Sequence, residues 1–113
     1  MKAPDQARGN LDMLLLAILA DGPAHGYSVL QALRERSADT FDMPEGTIYP
    51  ALHRLEKAGL LASDWDNSSG RKRRVYSVTK RGQSMLAARR TEWAGYVQAV
   101  EAVLRGAPWP TTA

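Results

Sequence analysis

Residues 46–61, Gly-Thr-Ile-Tyr-Pro-Ala-Leu-His-Arg-Leu-Glu-Lys-Ala-Gly-Leu-Leu, constrain this chain more than any other stretch. Ile48, Ala51, Leu52 and Leu55 recur at i, i+3, i+4 and i+7, the spacing of one face of an α-helix. Thr47, Tyr49, Pro50, His53, Arg54 and Lys57 fall on the other faces, with no acid between Gly46 and Glu56. Gly59 is placed to end the helix in a left-handed conformation. The stretch therefore predicts a short helix that buries one side and presents hydrogen-bonding, aromatic and cationic groups on the other. Such a face is either simply solvated or built for a groove lined with phosphates and base edges. Pro50 lacks the amide hydrogen that a helix interior needs. Two starts are open: a regular helix from near Thr47, with Thr47 as its cap, or an irregular first turn.

The flanking sequence supplies a core for the apolar side. Residues 1–9 are polar, contain Pro4 and Gly9, and read as a loose arm. Asn10 is a candidate cap for a helix whose Leu11, Leu14, Leu15, Ile18 and Leu19 form one stripe. This apolar run is interrupted by Asp12 and is far too short to span a bilayer, so it reads as a core helix and not as a signal peptide. Asp21-Gly22-Pro23 breaks it. A second helix runs from His25 or Gly26 to Ser37, with Tyr27, Leu30 and Leu33 pointing one way. Residues 38–44 connect it to the third.

After Gly59 the period changes. Residues 60–66 read as a strand, Asn67-Ser68-Ser69-Gly70 as a turn, and residues 72–78 as an antiparallel return strand. Alternation places Lys72, Arg74, Tyr76 and Val78 on one face of that strand and Arg73, Val75 and Ser77 on the other. Thr79 caps a last helix that continues to about Arg105, with Pro108 and Pro110 marking its frayed end. Leu86, Trp93 and Val100 recur every seven residues, joined by Tyr96, Val97, Val103 and Leu104. About 26 helical residues make a rod of about 39 Å, longer than a domain of this size can cover. The seam calls for a partner, most simply the same helix of a second copy.

The expected fold is α+β, mainly α: a winged helix-turn-helix of three helices plus a two-stranded wing, residues 10–78, followed by a long C-terminal dimerisation helix, residues 79–106. In that arrangement the third helix enters the major groove and the hairpin flanks it.

The charge pattern agrees. Residues 71–81 hold six cations, Arg71, Lys72, Arg73, Arg74, Lys80 and Arg81, and no acid. Long cationic side chains at a hairpin tip suit phosphate contact, although a basic loop can also be plain soluble surface. Catalysis finds little to use. The two histidines, His25 and His53, stand apart, cysteine is absent, and no phosphate-binding glycine loop or nucleophile elbow is present. No metal or cofactor is expected. The cysteine-free composition suits a reducing, cytoplasmic setting.

These residues resemble the PadR family of bacterial transcriptional regulators. The resemblance rests on Leu-Leu-Ala-Ile-Leu (15–19), Gly22-Pro23, His25-Gly26-Tyr27, the whole of 46–61, Gly70-Arg71-Lys72-Arg73-Arg74-Val75-Tyr76, and Val78-Thr79-Lys80-Arg81-Gly82. It spans about residues 11–105, and Thr-Ile-Tyr-Pro-Ala-Leu is its most specific block. The single C-terminal helix is similar to that of the smaller subfamily. The resemblance implies a homodimeric repressor that binds a near-palindromic operator in double-stranded DNA and is released by a small aromatic or hydrophobic effector. It also implies that Trp93 lines an apolar pore between subunits, with Tyr96 and Val97 beside it; plain dimer core is the alternative for these residues. One departure is Pro44, where members often carry a serine that could cap the third helix.

The expected DNA-binding set is Thr47, Tyr49, Pro50, His53 and Arg54 for the major groove, and Lys57, Arg71, Lys72 and Arg73 for phosphates. A winged-helix protein–protein adaptor, its basic wing meeting an acidic protein, is the alternative.

Overall fold

The computed structural model describes residues 5–109, with side chains from residue 10 onward. Residues 1–4 of the expected arm, and Pro110, lie outside the described residues. In chain order the elements are α1 (Asp5–Ala20), β1 (Ala24–His25), α2 (Gly26–Arg36), α3 (Glu45–Lys57), β2 (Leu61–Asp66), β3 (Arg73–Val78) and α4 (Lys80–Arg105). This is a mainly helical winged-helix fold with a small antiparallel sheet of order β1-β3-β2 and a long C-terminal helix. Among the described residues no helix is long and apolar enough to cross a membrane.

α1 lies at the centre, in contact with α2, α3, β3 and α4. Two expectations about it are corrected. The helix begins at Asp5, so residues 5–9 are helical and Asn10 lies within the helix instead of capping it. Apart from Gly9, which costs a helix about 1 kcal/mol, the residues at 5–9 tolerate helical backbone, and no proline interrupts them. Burial is also wider than one stripe: Met13 and Leu16 are buried with Leu11, Leu15, Ile18 and Leu19, while Leu14 is half-buried. A helix surrounded by other elements is apolar on most of its circumference.

α2 buries Gly26, Val29, Leu30 and Leu33, whereas Tyr27 is 52% exposed and belongs to the outer face. The residue that meets the core at this position is the glycine. α3 begins at Glu45, with Pro44 in extended backbone as its N-terminal cap residue. The Pro44 carbonyl accepts from the amides of Thr47 (2.9 Å) and Ile48 (3.1 Å), so the first turn forms without a side-chain cap. Neither sequence-level start survives: Thr47 lies in the first turn and Pro50 is truly interior. With no amide hydrogen on Pro50, the Gly46 carbonyl loses its helical donor, and Gly46 is exposed so that water can replace it. The apolar face is as expected: Ile48, Ala51, Leu52 and Leu55 are buried.

α3 stops as Gly59 dictates. At φ 81° its amide donates to the Glu56 carbonyl (3.0 Å), and the Leu60 amide reaches back to the Leu55 carbonyl (2.9 Å). This pair of bonds satisfies carbonyls that the helix end leaves free. The hairpin that follows pairs Leu61 with Val78 through Asp66 with Arg73. Its turn closes through Gly70 N–H to the Asn67 carbonyl (3.0 Å) and Ser68 N–H to the Asp66 carboxylate (2.9 Å). Tyr76 is buried to 1% and fills the space between sheet and helices. The two-residue strand β1, absent from the sequence reading, pairs Ala24 with Tyr76 and His25 with Val75. Two residues are too few to produce a readable alternation.

α4 leaves the hairpin through a tight junction. The Thr79 hydroxyl accepts from Gly82 N–H (3.0 Å), capping the helix, and donates to the Gly59 carbonyl (2.7 Å). Gly82 packs directly on the Leu60 backbone: a Cβ there would lie 2.1 Å from the Leu60 carbonyl oxygen. In an ordinary helix glycine-to-alanine stabilises by about 0.5–1 kcal/mol. Here Gly82→Ala is expected to destabilise by about 1–3 kcal/mol, as overpacking does. Urea unfolding measures it, and unchanged or increased stability would contradict the close approach.

Candidate nucleic-acid interface

The polar face of α3 and the wing meet across a cleft of about 270 Å³. Tyr49 and His53 border it from α3, Lys72 and Arg73 from the wing, and Tyr27 from the start of α2. Tyr49 is held by the glycine beneath it: a Cβ on Gly26 would lie 2.4 Å from its ring. Burial, then the charge of Glu45 and the proximity of Tyr27, raises the Tyr49 phenol above its ordinary pKa, so it stays a neutral donor and acceptor at neutral pH. His53 is exposed, with its ring 6.5 Å from that of Tyr76. Thr47 and Pro50 are exposed on the first two turns of α3, and Lys57 on its last.

Arg54 has a partner that the sequence did not suggest. Its guanidinium pairs with the Asp12 carboxylate of α1 while the side chain remains 56% exposed. The residue is thus oriented by α1 on the outside of α3. An acid one turn inside an apolar helix was the available signal, but its partner is 42 residues away.

The cations of the wing differ in their contacts. Arg71 and Lys72 lie in the exposed loop, and Arg73 opens β3. Arg74 shares the inner face with Tyr76, where it serves the fold. Its Nε donates to the Ser63 hydroxyl (2.9 Å), and its Nη2 lies 3.7 Å from the Glu56 carboxylate of α3. Ser63 in turn donates to Glu56 (2.5 Å). Trp65 stands beside this network, with the Lys72 ammonium 4.8 Å and the Arg74 guanidinium 5.0 Å from its ring centroid. The Glu56–Ser63–Arg74 link ties the wing to α3, and no local sequence pattern announced it.

A second region lies on α4. Trp93 and Tyr96 are 5.8 Å apart between ring centroids and tilted by 31°. With Asn10, Arg89 and Glu92 they line a cleft of about 250 Å³. Val97 is half-buried nearby and is not among the lining residues. Further along, Tyr96, Val100, Val103 and Leu104 form an exposed apolar strip, with Val103 and Leu104 nearly 80% accessible (79% and 78%).

Known proteins share this fold. Residues 15–88 match the Transcriptional regulator PadR-like family. The chain belongs to that family. It is 39% identical over 79 residues to transcriptional regulator Rv3488 of Mycobacterium tuberculosis, covering 70% of this chain and 71% of that protein. A PadR family regulator from Eggerthella lenta superposes with a TM-score of 0.79 at 33% identity, over 91% of this chain and 88% of that one. A PadR-like regulator from Bacillus cereus does so with a TM-score of 0.81 at 28% identity, over 92% and 100%. This PadR protein is therefore a DNA-binding transcriptional regulator, in a family of regulators and not of enzymes.

Proposed function

We propose that this protein is a repressor that binds a near-palindromic operator as a homodimer. Residues 10–78 form the DNA-binding unit and residues 79–106 the dimerisation helix. Thr47, Tyr49, Pro50, His53 and Arg54 face the major groove, and Lys57, Arg71, Lys72 and Arg73 hold phosphates on either side. The observation that carries this reading is the shared cleft: Tyr49 and His53 of the third helix border the same surface as Lys72 and Arg73 of the wing. Base-edge donors and phosphate-binding cations are thus offered together, as groove recognition requires. Arg54 would exchange Asp12 for a phosphate or for guanine O6 and N7, which its exposure allows.

The dimer is supported by the apolar strip on α4. A monomer would leave Trp93, Tyr96, Val100, Val103 and Leu104 in water on one helix. Two-fold symmetry of the protein then implies two-fold symmetry of the operator. A planar aromatic effector would enter beside Trp93 and Tyr96, stacking on their rings.

Three measurements test these points. Affinity for a duplex from the region upstream of the coding sequence should fall with salt, and Arg73→Ala should flatten the slope of log K against log[salt] by about one unit. An unchanged slope removes Arg73 from the phosphate set. Sedimentation at micromolar concentration should show a dimer, and a stable monomer would sink both the α4 seam and the palindrome. Planar aromatic compounds should quench tryptophan fluorescence in the native protein and not in Trp93→Ala; equal quenching in the two would place the ligand elsewhere or nowhere.

A further inference from the structure

One polar side chain in the cleft has no role in the reading above. His25 ends β1, directly before α2, and its side chain is 21% exposed. Its two ring nitrogens each face an acceptor on a different strand. Nδ1 lies 3.3 Å from the Arg74 carbonyl oxygen of β3, and Nε2 lies 3.3 Å from the Asp66 carboxylate of β2, both at the long end of hydrogen bonding. Neither partner offers a proton. The Asp66 carboxyl is held below its ordinary pKa by the Ser68 backbone amide first, by the Ser68 hydroxyl, and by the nearby charges of His25 and Arg73. A neutral imidazole has one N–H, so either tautomer turns a lone pair toward one of these acceptors. The imidazolium donates to both.

The position of the two acceptors matters as much as their chemistry. Asp66 is the last residue of β2 and pairs with Arg73, the first of β3; Arg74 follows. His25 therefore grips the hairpin where it opens into the loop that carries Arg71 and Lys72. We infer that His25 is a positioning residue for the wing: as an imidazolium it ties the loop ends of β2 and β3 to the start of α2, holding Lys72 and Arg73 against α3 for phosphate contact. This inference rests on the DNA-binding role of the wing proposed above.

Several charged groups surround the ring. Asp66 lies 3.3 Å from it, and Lys72 and Arg73 border the same cleft. The Arg74 guanidinium is engaged with Ser63 and Glu56. From the helices, His53 and the phenols of Tyr27 and Tyr49 face the cleft. Because the protonated ring is the form that donates to both strands, the tie is lost once the ring gives up its second proton, and DNA binding weakens with it.

The test compares the native protein with Asp66→Asn, His25→Gln and His53→Gln on the upstream duplex at about pH 6 and about pH 8. The native protein should bind about two- to fivefold more tightly at the lower pH, the size of an exposed ion pair. Asp66→Asn and His25→Gln should lose that difference and show a shallower salt slope at the lower pH. The part of the difference lost in Asp66→Asn should survive in His53→Gln, whatever that change does to absolute affinity. No pH difference in the native protein, or one that persists in Asp66→Asn, overturns the inference. Should His25→Gln fail to fold by circular dichroism, Asp66→Asn decides alone, since Asp66 lies at the surface turn. Absence of any DNA binding by the native protein would instead sink the DNA-binding reading itself.

Discussion

The contact of Gly82 and Thr79 with the Gly59–Leu60 backbone is the constraint on which the remaining architecture depends. Gly59 ends α3, Leu60 leads into the wing, and Thr79 begins α4. The Thr79 hydroxyl bonds to the Gly59 carbonyl, the Thr79 amide donates to the Leu60 carbonyl at 3.1 Å, and Gly82 lies against the same backbone without a side chain between. The end of α3, the base of the wing and the long helix thus converge on two residues. The junction is held by one backbone hydrogen bond, one bond from the short Thr79 hydroxyl and a direct backbone contact at Gly82. In the dimer proposed above, this junction would relate the two copies of α3.

Beyond the junction, the wing is oriented by polar contacts. Arg74 is cationic and lies in a basic run, yet its neighbours are Ser63, Glu56 and Trp65. A cation beside a carboxylate, a hydroxyl and an indole face contributes to holding the hairpin on α3. Lys72 and Arg73 border the same open cleft as Arg74.

The sequence made the main elements legible because their signals are local. The 46–61 block announced its buried face, its polar face and its terminating glycine, and all three are present in α3. The heptad spacing of Leu86, Trp93 and Val100 announced a helix with an uncovered seam, and α4 buries only Gly82 and Leu86 in the single chain. The residues proposed for DNA contact were legible as types: aromatic, hydrogen-bonding and cationic groups on one helix and one hairpin. Where the reading failed, the cause was non-local. β1 exists because β3 offers an edge, Tyr27 turned outward because Gly26 occupies the core position, and the start of α3 follows the extended Pro44 and not a capping side chain.

Periodicity, glycine placement and charge runs by themselves determined the order of the four helices and the hairpin and the buried face of α3, because these depend on backbone geometry repeated every few residues. Tertiary structure alone decided the pairings of Arg54 with Asp12, Arg74 with Glu56 and His25 with Asp66. Each joins residues distant in sequence or set by sheet register, and a charge finds its partner only after packing has fixed which carboxylate stands within a few ångströms.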